Sequence, residues 1–232
     1  MFDRNPPAFE TLEDARRYLR SFVGIAGITN LAYLAISLPF AEDAAPLAIA
    51  TYSAEWASHY LGREYFRIDP AIIQGLTGIL PFDWSSRPYT GAAIKRFFGE
   101  AKEFGVSHQG LSFPIRGAYG EKAMFSINSD LSSRDWEQFK SLRFGEIAMF
   151  AYFFHLEVLA LCGAMEIQAP QLSKRETDVL KWASEGKSAW ESAKIMGLTE
   201  NTANFYLRNA ISKLSSSNKT QAVAVAVRRG IL

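Results

Sequence analysis

The sequence contains one cysteine, three histidines and none of the common catalytic or cofactor-binding motifs. Because Cys162 has no possible partner, no disulfide can form within the chain, as is usual in a reducing compartment. The patterns GxxxxGK(S/T), GxGxxG and CxxC are missing, and the histidines are not spaced as metal ligands. A GxSxG nucleophile motif is also missing. We therefore expect no catalytic residue, no metal and no cofactor.

The chain also lacks an apolar run that reads clearly as a membrane segment. It opens with Met-Phe-Asp-Arg rather than with a charged and then apolar signal region. The most apolar stretch, 147–165, holds His155 and Glu157 near its middle, where a charge would be costly in lipid. We expect a buried or dimer-facing helix there and a cytoplasmic protein.

The overall charge of +1 hides an uneven distribution along the 232 residues. From Ala169 to the end there are 10 Lys and Arg residues against 5 Asp and Glu residues, so this part carries +5 and the remainder carries −4. A compact basic module is the electrostatic feature expected of a protein that binds a phosphate backbone. The apolar content of 48% is ample for one or two domains.

The basic region, 172–232, contains the start and stop signals of four short helices. Ser173 and Ser188 each precede a glutamate by three residues, which is the capping box of a helix start. Gly186 and Gly197 stand where the first two helices should end. Two short helices joined by a tight turn predict a helix-turn-helix inside an all-α domain.

The third of these helices, beginning at Thr199, has one apolar and one polar face. Amide and guanidinium groups of the polar face match base edges in a DNA major groove. The polar face comprises Asn201, Thr202, Asn204, Phe205, Arg208, Asn209, Ser212 and Lys213. A solvated face in an unrelated bundle explains these residues equally well, and the positive charge of the module favours DNA.

The first 162 residues predict alternating helices and strands. We expect helices over 9–23, from Ser53, from Asp69-Pro70, over 90–105 and over 134–162, and strands over 31–38, 47–52, 110–115 and 122–128. Strands between helical layers make an α/β/α sandwich, so the whole chain is α+β. A segment without apolar periodicity, 163–171, predicts the linker.

Aromatic and polar residues between Tyr52 and Trp84 suggest a pocket, although each has a simpler explanation. Trp56 or Tyr60 alone is most simply a core aromatic residue. Asp69 before a proline is most simply a helix cap, and Ser126 is a small strand residue. A phospho-receiver domain is a weaker interpretation, because the acidic pair Glu42-Asp43 falls in a loop rather than at a strand end.

Two stretches resemble the LuxR-type transcription regulators across nearly the whole chain. The run YSAEWASHYLGREYFRIDP with the later PFDW resembles their acyl-homoserine-lactone-binding domain, 1–162 here. The run LSKRETDVLKWASEGKSAWESAKIMGLTENTANFYLRNAISKL resembles their DNA-binding domain, 172–232 here. Ala203 and Ser192 depart from the family pattern by being smaller, at positions that we expect to face away from DNA.

The resemblance implies a role for each candidate ligand-binding residue. Trp56 would donate its indole N–H to the lactone carbonyl, Asp69 would accept the ligand amide N–H, and Tyr60 would donate to the acyl carbonyl. Trp84 would pack on the lactone ring. Further pocket positions are Ser126, Tyr52 and Tyr89. The many aromatic residues favour a short, branched or aromatic acyl group.

The resemblance also implies partners. We expect a homodimer, because one short helix reads only a few base pairs of a palindromic site. Base edges should meet Asn204 and Arg208, whereas phosphates should meet Asn201, Thr202 and Lys219. Candidate dimer surfaces are the 134–162 helix and the small residues Ala222, Ala224 and Ala226; RNA polymerase is a further candidate partner. The alternatives are a LuxR-like regulator that senses another small molecule or none, and an acyl-processing enzyme fused to a DNA-binding module.

Overall fold

The computed structural model describes residues 2, 6–38, 46–86, 90–117, 120–163 and 171–232, which divide into two compact units. The N-terminal unit comprises Met1–Gly117 and Glu121–Met165, and the C-terminal unit comprises Ala118–Gly120 and Glu166–Leu232. Most of the predicted linker, 164–170, lies outside the described residues. The linker boundaries therefore stay a prediction.

The N-terminal unit is built on a five-stranded antiparallel sheet of order β2-β1-β5-β4-β3. Its strands are β1 (Ile28–Ser37), β2 (Leu47–Ala50), β3 (Phe82–Asp83), β4 (Gln109–Arg116) and β5 (Lys122–Ser129). Its helices are α1 (Leu12–Arg20), α2 (Ala54–Gly62), α3 (Pro70–Thr77), α4 (Ala92–Glu103) and α5 (Ser133–Leu161). Short 3-10 turns occupy Ile25–Gly27, Tyr65–Arg67 and Trp84–Ser86.

Side-chain caps begin most of these helices, which is why the sequence located them. Hydroxyl or carboxylate oxygens accept a backbone N–H at Thr11, Ser53, Asp69 and Ser132. The start of α4 was placed one residue too early: its N-cap is Gly91 rather than Thr90. Gly91 has φ of 114°, a backbone conformation that glycine adopts without steric cost, and makes no side-chain cap.

The two faces of the sheet bury different kinds of side chain. On one face, Tyr33 stands opposite Phe125, and Phe125 stands opposite Phe113; all three are almost completely buried. Helices α1 and α5 cover this face, with the ring of Phe150 of α5 packed edge-to-face against Phe125. On the other face α3 approaches so closely that a Cβ on Gly75 would meet Met124. The predicted α/β/α layering is therefore confirmed.

Helix α5 contains the apolar stretch noted in the sequence. It is 29 residues long, and by length and composition alone it would be able to cross a membrane. Its buried residues Ile147, Phe150, Phe154 and Val158 belong to the core cluster that includes the sheet. Packing of one helix side in the core explains why so much of α5 is apolar.

The C-terminal unit has the four predicted helices: α6 (Lys174–Ser184), α7 (Ala189–Met196), α8 (Glu200–Lys213) and α9 (Lys219–Arg228). Both predicted capping boxes are present, at Ser173 and Ser188, and Thr199 caps α8. Gly197 ends α7 in the left-handed conformation. The unit is thus the all-α domain that the sequence indicated.

The core of the C-terminal unit corrects one expectation about dimer surfaces. Ala222 and Ala226 are fully buried beside Leu180 and Leu214 and hold α9 in the unit. They are therefore not available to a partner, whereas Ala224 is exposed. The error arose because small residues on one side of a helix allow close packing against another helix of the same unit as well as against a second copy of the chain.

A single histidine is buried within the apolar core of the N-terminal unit. The Nδ1 atom of His155 lies 2.7 Å from the hydroxyl of Tyr33. Its Nε2 atom is also buried and has no hydrogen-bond partner among the described residues. Burial lowers the pKa of His155 from an ordinary 6.5 to about 4, because the charged imidazolium is poorly solvated there.

We expect the free energy of unfolding to fall as pH falls from 6.5 towards 4, because the unfolded chain then binds a proton that the folded chain resists. The loss attributable to His155 should reach about 3 kcal/mol at the acid end. His155→Gln keeps a polar partner for Tyr33 but does not titrate, so its urea-unfolding curves should change less over this window. The exposed His108→Gln serves as control, and equal pH slopes for wild type and His155→Gln would contradict the assignment.

Candidate functional site

Three buried polar residues mark the face of the sheet that lies opposite the α5 core. Ser112 on β4 and Ser126 on β5 are register partners with hydroxyl oxygens 2.7 Å apart, and Asn128 lies one pleat further along β5. We call this surface the polar sheet face. Sequence reasoning singled out Ser126 but missed Ser112 and Asn128, which the two-residue alternation of the β4–β5 hairpin places on the same side.

Tyr52 connects the end of β2 to the polar sheet face. Its hydroxyl donates to Oδ1 of Asn128 at 2.6 Å, and Nδ2 of Asn128 donates to the carbonyl of Ser107 at 3.1 Å. Burial, with the carboxylate of Asp69 nearby, raises the pKa of Tyr52 above its ordinary value. The hydroxyl hydrogen of Tyr52 is therefore directed at Asn128.

Asp69 has the helix-cap role that the sequence suggested and also accepts a hydrogen bond from Tyr60, while its contact with the ligand amide stays a prediction. One carboxylate oxygen caps α3 by accepting the N–H of Ala71 at 2.8 Å, and the other accepts the Tyr60 hydroxyl at 2.9 Å. Burial raises the pKa of Asp69, while these hydrogen bonds act in the opposite direction. Tyr60 donates to Asp69 in this structure, so its hydrogen does not point to a second acceptor.

Trp56 occupies the centre of an aromatic cluster on α2, and it is only 4% exposed. Five rings have centroids 5.6 to 6.2 Å from that of the Trp56 ring: His59, Tyr60, Tyr65, Phe97 and Phe104. Its indole N–H makes no hydrogen bond with any residue that the structure describes. Trp56 is thus a core residue that keeps a donor available.

Trp84 is held tightly against the sheet. A Cβ on Gly110 would lie 2.5 Å from the Trp84 ring, so the indole can rest on β4 only because that residue is glycine. The Trp84 Nε1–H donates to the Ser112 hydroxyl at 2.8 Å. The preceding Asp83 accepts hydrogen bonds from Lys140 at 2.5 Å and from the Trp136 indole at 3.1 Å.

The ion pair between Asp83 and Lys140 fixes this segment to α5. Burial by itself would raise the pKa of Asp83, but the hydrogen bonds from Lys140 and Ser85 hold it below its ordinary value. The carboxylate is therefore charged at neutral pH and pairs with Lys140, both side chains being largely buried.

A second polar cluster, which the sequence did not reveal, joins α2 to α4. Glu100 accepts from His59 Nε2 at 2.6 Å, and the Tyr65 hydroxyl donates to the same oxygen. Hydrogen bonds from Tyr65 and His59 lower the pKa of Glu100. His59 also stacks on Phe104 with centroids 4.9 Å apart, so the cluster closes one side of the aromatic group around Trp56.

The structure therefore brings most of the candidate ligand residues into one connected region. Trp56, Tyr60 and Tyr52 belong to the same aromatic cluster, and Asp69 is bonded to Tyr60. Ser126 is linked through Ser112 to Trp84 and lies next to Asn128 along one face. Tyr89 lies outside the described residues.

On α8 the candidate DNA-binding residues are accessible but differ in their contacts. Asn201 and Arg208 are exposed, and Asn204 is partly buried. Thr202 is tied to the cap, with its hydroxyl 2.8 Å from that of Thr199. Lys219, at the start of α9, donates to the carbonyl of Lys187 at 3.2 Å, which holds it near the turn before α7.

One residue of the predicted polar face has a structural partner instead. Lys213 donates to the buried carboxylate of Glu176 at 2.8 Å and to the carbonyl of Gln171 at 3.2 Å. The Glu176 carboxylate also accepts the backbone N–H of Ser173, so this ion pair fastens the end of α8 to the start of α6. Ala203 and Ser192 are buried, as expected of residues that face away from DNA.

Comparison with known families decides what the two units are. Residues 11–158 match the autoinducer binding domain, and residues 170–226 match the bacterial regulatory proteins of the luxR family. The chain belongs to the LuxR family. It is an autoinducer-binding transcription regulator, and the family resemblance of the sequence is confirmed.

Individual LuxR-type proteins agree with this assignment. The quorum sensing-dependent transcriptional regulator RpaR of Rhodopseudomonas palustris is 30% identical over 217 residues, covering 91% of this chain and 86% of that protein. The crystal structure of Escherichia coli SdiA matches with a TM-score of 0.65 at 19% identity, covering 96% of this chain and 92% of SdiA. CepR2 of Burkholderia cenocepacia, described as N-acylhomoserine lactone dependent, matches with a TM-score of 0.52 at 20% identity, covering 66% and 88%.

In a LuxR-type regulator the N-terminal domain takes the small molecule and the C-terminal domain binds DNA. The region around Trp56, Asp69 and the polar sheet face is therefore the candidate ligand site of this chain. The exposed side of α8 is its candidate nucleic-acid interface.

Proposed function

We propose that this LuxR-type regulator binds an acyl-homoserine lactone in its N-terminal unit and then, as a homodimer in the cytoplasm, binds a palindromic DNA site. The observation that carries the proposal is the set of polar atoms in the candidate site. Trp56 offers an indole N–H without a partner among the described residues, Asp69 offers a carboxylate, and Ser112 with Ser126 offers a buried hydroxyl pair.

These groups complement the polar atoms of an acyl-homoserine lactone. The ligand has a lactone carbonyl, an amide N–H and an acyl carbonyl, which require a donor, an acceptor and a donor respectively. Each buried polar atom left unpaired would cost about 1 to 3 kcal/mol. In the proposed complex Trp56 donates to the lactone carbonyl, and Asp69 accepts the amide N–H.

The donor for the acyl carbonyl is assigned differently from the sequence-based expectation. Tyr60 donates its hydrogen to Asp69, so the hydroxyl of Ser126 is the better donor for the acyl oxygen. Trp84 and Tyr52 serve as walls of the proposed pocket, since their own polar hydrogens are directed at Ser112 and Asn128. Tyr89 remains a candidate from the sequence alone. The CepR2 description supports a lactone as ligand.

Replacement of Asp69 by asparagine separates the ligand role from the helix cap. Asparagine caps helices about as well as aspartate, so Asp69→Asn should keep the cap of α3, and the ligand-free protein should lose only the hydrogen bond from Tyr60. The amide lacks the charge that strengthens the bond to the ligand N–H, and lactone affinity should fall by roughly 1.5 to 3 kcal/mol. Trp56→Phe should act similarly by removing the indole donor while retaining a ring.

The measurement is a dose-response curve of a reporter, with ligand-induced stabilisation of the purified protein as the second readout. The panel should span short, long, branched and aromatic acyl groups. Asp135→Asn, in the first turn of α5, is the matched control because its carboxylate also belongs to a helix cap. Curves for Asp69→Asn and Trp56→Phe that overlay the wild type would return both residues to structural roles.

The proposed DNA contacts rest on the exposed side of α8. Asn204 and Arg208 are one helical turn apart and are assigned to base edges. Asn201, Thr202 and Lys219 are assigned to phosphates, at the start of α8 and the start of α9. Binding of phosphate at helix starts is favoured by free backbone N–H groups there.

Arg208→Ala should weaken binding to the cognate operator by about 1 to 3 kcal/mol and relax preference between sequences. Lys219→Ala should weaken binding to all DNA sequences alike. It should also reduce the slope of log binding constant against log salt concentration by about one. Gel-shift titrations at several salt concentrations, with cognate and scrambled DNA, measure both effects. The assignment of faces is wrong if Arg208→Ala leaves operator selectivity intact.

A homodimer is supported by an exposed apolar stripe along α5. The stripe repeats at intervals of three and four residues, which places its members on one side of the helix. Its members are Leu142, Gly145, Met149, Tyr152 and Leu156, all of them exposed and none of them charged. A second copy of the same stripe would remove this apolar surface from water.

Leu142→Glu should weaken dimerisation of the ligand-bound protein by at least tenfold, about 1.4 kcal/mol, because two-fold symmetry would bury two carboxylates. Leu142 is 70% exposed, so the monomer should tolerate the change. Leu61→Glu on α2, where the leucine is 64% exposed, is the control. Sedimentation equilibrium measures the effect, and equal dimer constants for the two variants would remove α5 from the interface.

One alternative is a LuxR-like regulator of the same architecture that senses another small molecule or none. SdiA has been solved with octanoyl-rac-glycerol, so an acyl glycerol belongs in the ligand panel beside the lactones. RNA polymerase is the proposed further partner for transcription activation, and run-off transcription with purified polymerase tests it. The family assignment favours a regulator over an acyl-processing enzyme.

A further inference from the structure

Trp84, Ser112 and Ser126 form one continuous hydrogen-bonded chain across β4 and β5. The Trp84 Nε1–H lies 2.8 Å from the Ser112 hydroxyl, which lies 2.7 Å from the Ser126 hydroxyl. Ser112 is completely buried and Ser126 is 4% exposed, so water does not compete strongly for these bonds. The indole begins the chain because it is a donor only.

Cooperativity between neighbouring hydrogen bonds favours one direction for the chain. Ser112 accepts from Trp84, and acceptance of one hydrogen bond makes a hydroxyl a stronger donor. Either hydroxyl of the pair is able to donate, and this strengthening favours Ser112 as the donor to Ser126. In that direction the hydroxyl hydrogen of Ser126 has no acceptor within the chain of bonds. Ser126 makes no other side-chain hydrogen bond with a described residue. The buried pair thus presents a single donor at Ser126.

The start of the chain is fixed by contacts far apart in the sequence. Phe82 of β3 pairs with Ser112 of β4, so the turn that carries Trp84 begins beside Ser112. Asp83 is anchored to Lys140 of α5, and Gly110 leaves room for the indole ring. These constraints hold the Trp84 N–H over the Ser112 oxygen without a bound ligand.

We propose that Ser112 is a positioning residue for the ligand: it accepts from Trp84, donates to Ser126, and so directs the Ser126 hydroxyl hydrogen at the acyl carbonyl. The inference rests on the proposed lactone function and deepens it. Trp84 then acts in ligand binding through its N–H as well as through its ring. Loss of Ser112 leaves Ser126 free to rotate its hydrogen towards other acceptors.

The test compares two ligands on the same full-length protein. One is the acyl-homoserine lactone that binds best in the panel, and the other is its thioamide analogue, in which sulfur replaces the acyl oxygen and accepts hydrogen bonds more weakly. Wild type should prefer the amide. In Ser112→Ala, affinity for the amide should fall about three- to tenfold, the value of one neutral hydrogen bond, while affinity for the thioamide changes little.

The ratio of the two affinities separates positioning from a general loss of stability, because both ligands are measured on one protein. Ser112→Thr retains a hydroxyl and should restore the wild-type ratio. Ser129→Ala is the matched control: Ser129 is a fully buried serine of β5 that donates to Gly27, away from this chain of bonds, and its ratio should equal that of wild type.

An amide-to-thioamide ratio in Ser112→Ala equal to that of wild type would overturn the role of Ser112 while leaving lactone binding intact. If the amide-to-thioamide ratio also falls in Ser129→Ala, then loss of any buried serine is enough to lower it. That result would overturn the role of Ser112 as well. Failure of the wild-type protein to bind any lactone of the panel would instead overturn the proposed function on which the inference rests.

Discussion

The antiparallel pairing of β4 with β5 is the constraint on which the N-terminal unit depends. Both strands are buried on both faces, so every side chain along them must either pack or find a hydrogen-bond partner. One face solves this with apolar residues such as Phe113 and Phe125 against α5. The other face uses Ser112 and Ser126, whose hydroxyls form a hydrogen bond with each other because the register places them opposite.

The polar groups on and around the polar sheet face are paired in a defined direction. Tyr60, Tyr52 and Trp84 each donate to a protein acceptor, which fixes their orientation. In the proposed complex Trp56 and Ser126 donate to the ligand. A cavity with a few oriented donors and one carboxylate selects ligands by the cost of leaving those groups unpaired. Family membership and this geometry therefore support the same interpretation of the unit.

Local signals in the sequence predicted much of the fold. Caps at Ser53, Ser132, Ser173 and Thr199 located the helix starts, since a cap involves residues only three positions apart. The two-residue strand β3 was not predicted, because two residues carry no periodicity. The glycine that begins α4 was also missed, as Gly91 caps without a side chain.

The sequence by itself determined the order of the two units, the basic character of the second, the family, and the candidates Trp56, Asp69 and Arg208. The order of the units and their charge follow from periodicity, capping and composition, which are properties of neighbouring residues, whereas the family and the ligand candidates came from the resemblance of short sequence motifs. Only the tertiary structure decided which acceptor each polar side chain donates to and which side chains are buried. The bonds from Tyr60 to Asp69 and from Trp84 to Ser112, and the burial of Ala222, depend on where separate elements meet, and that is set by the packing of the whole unit.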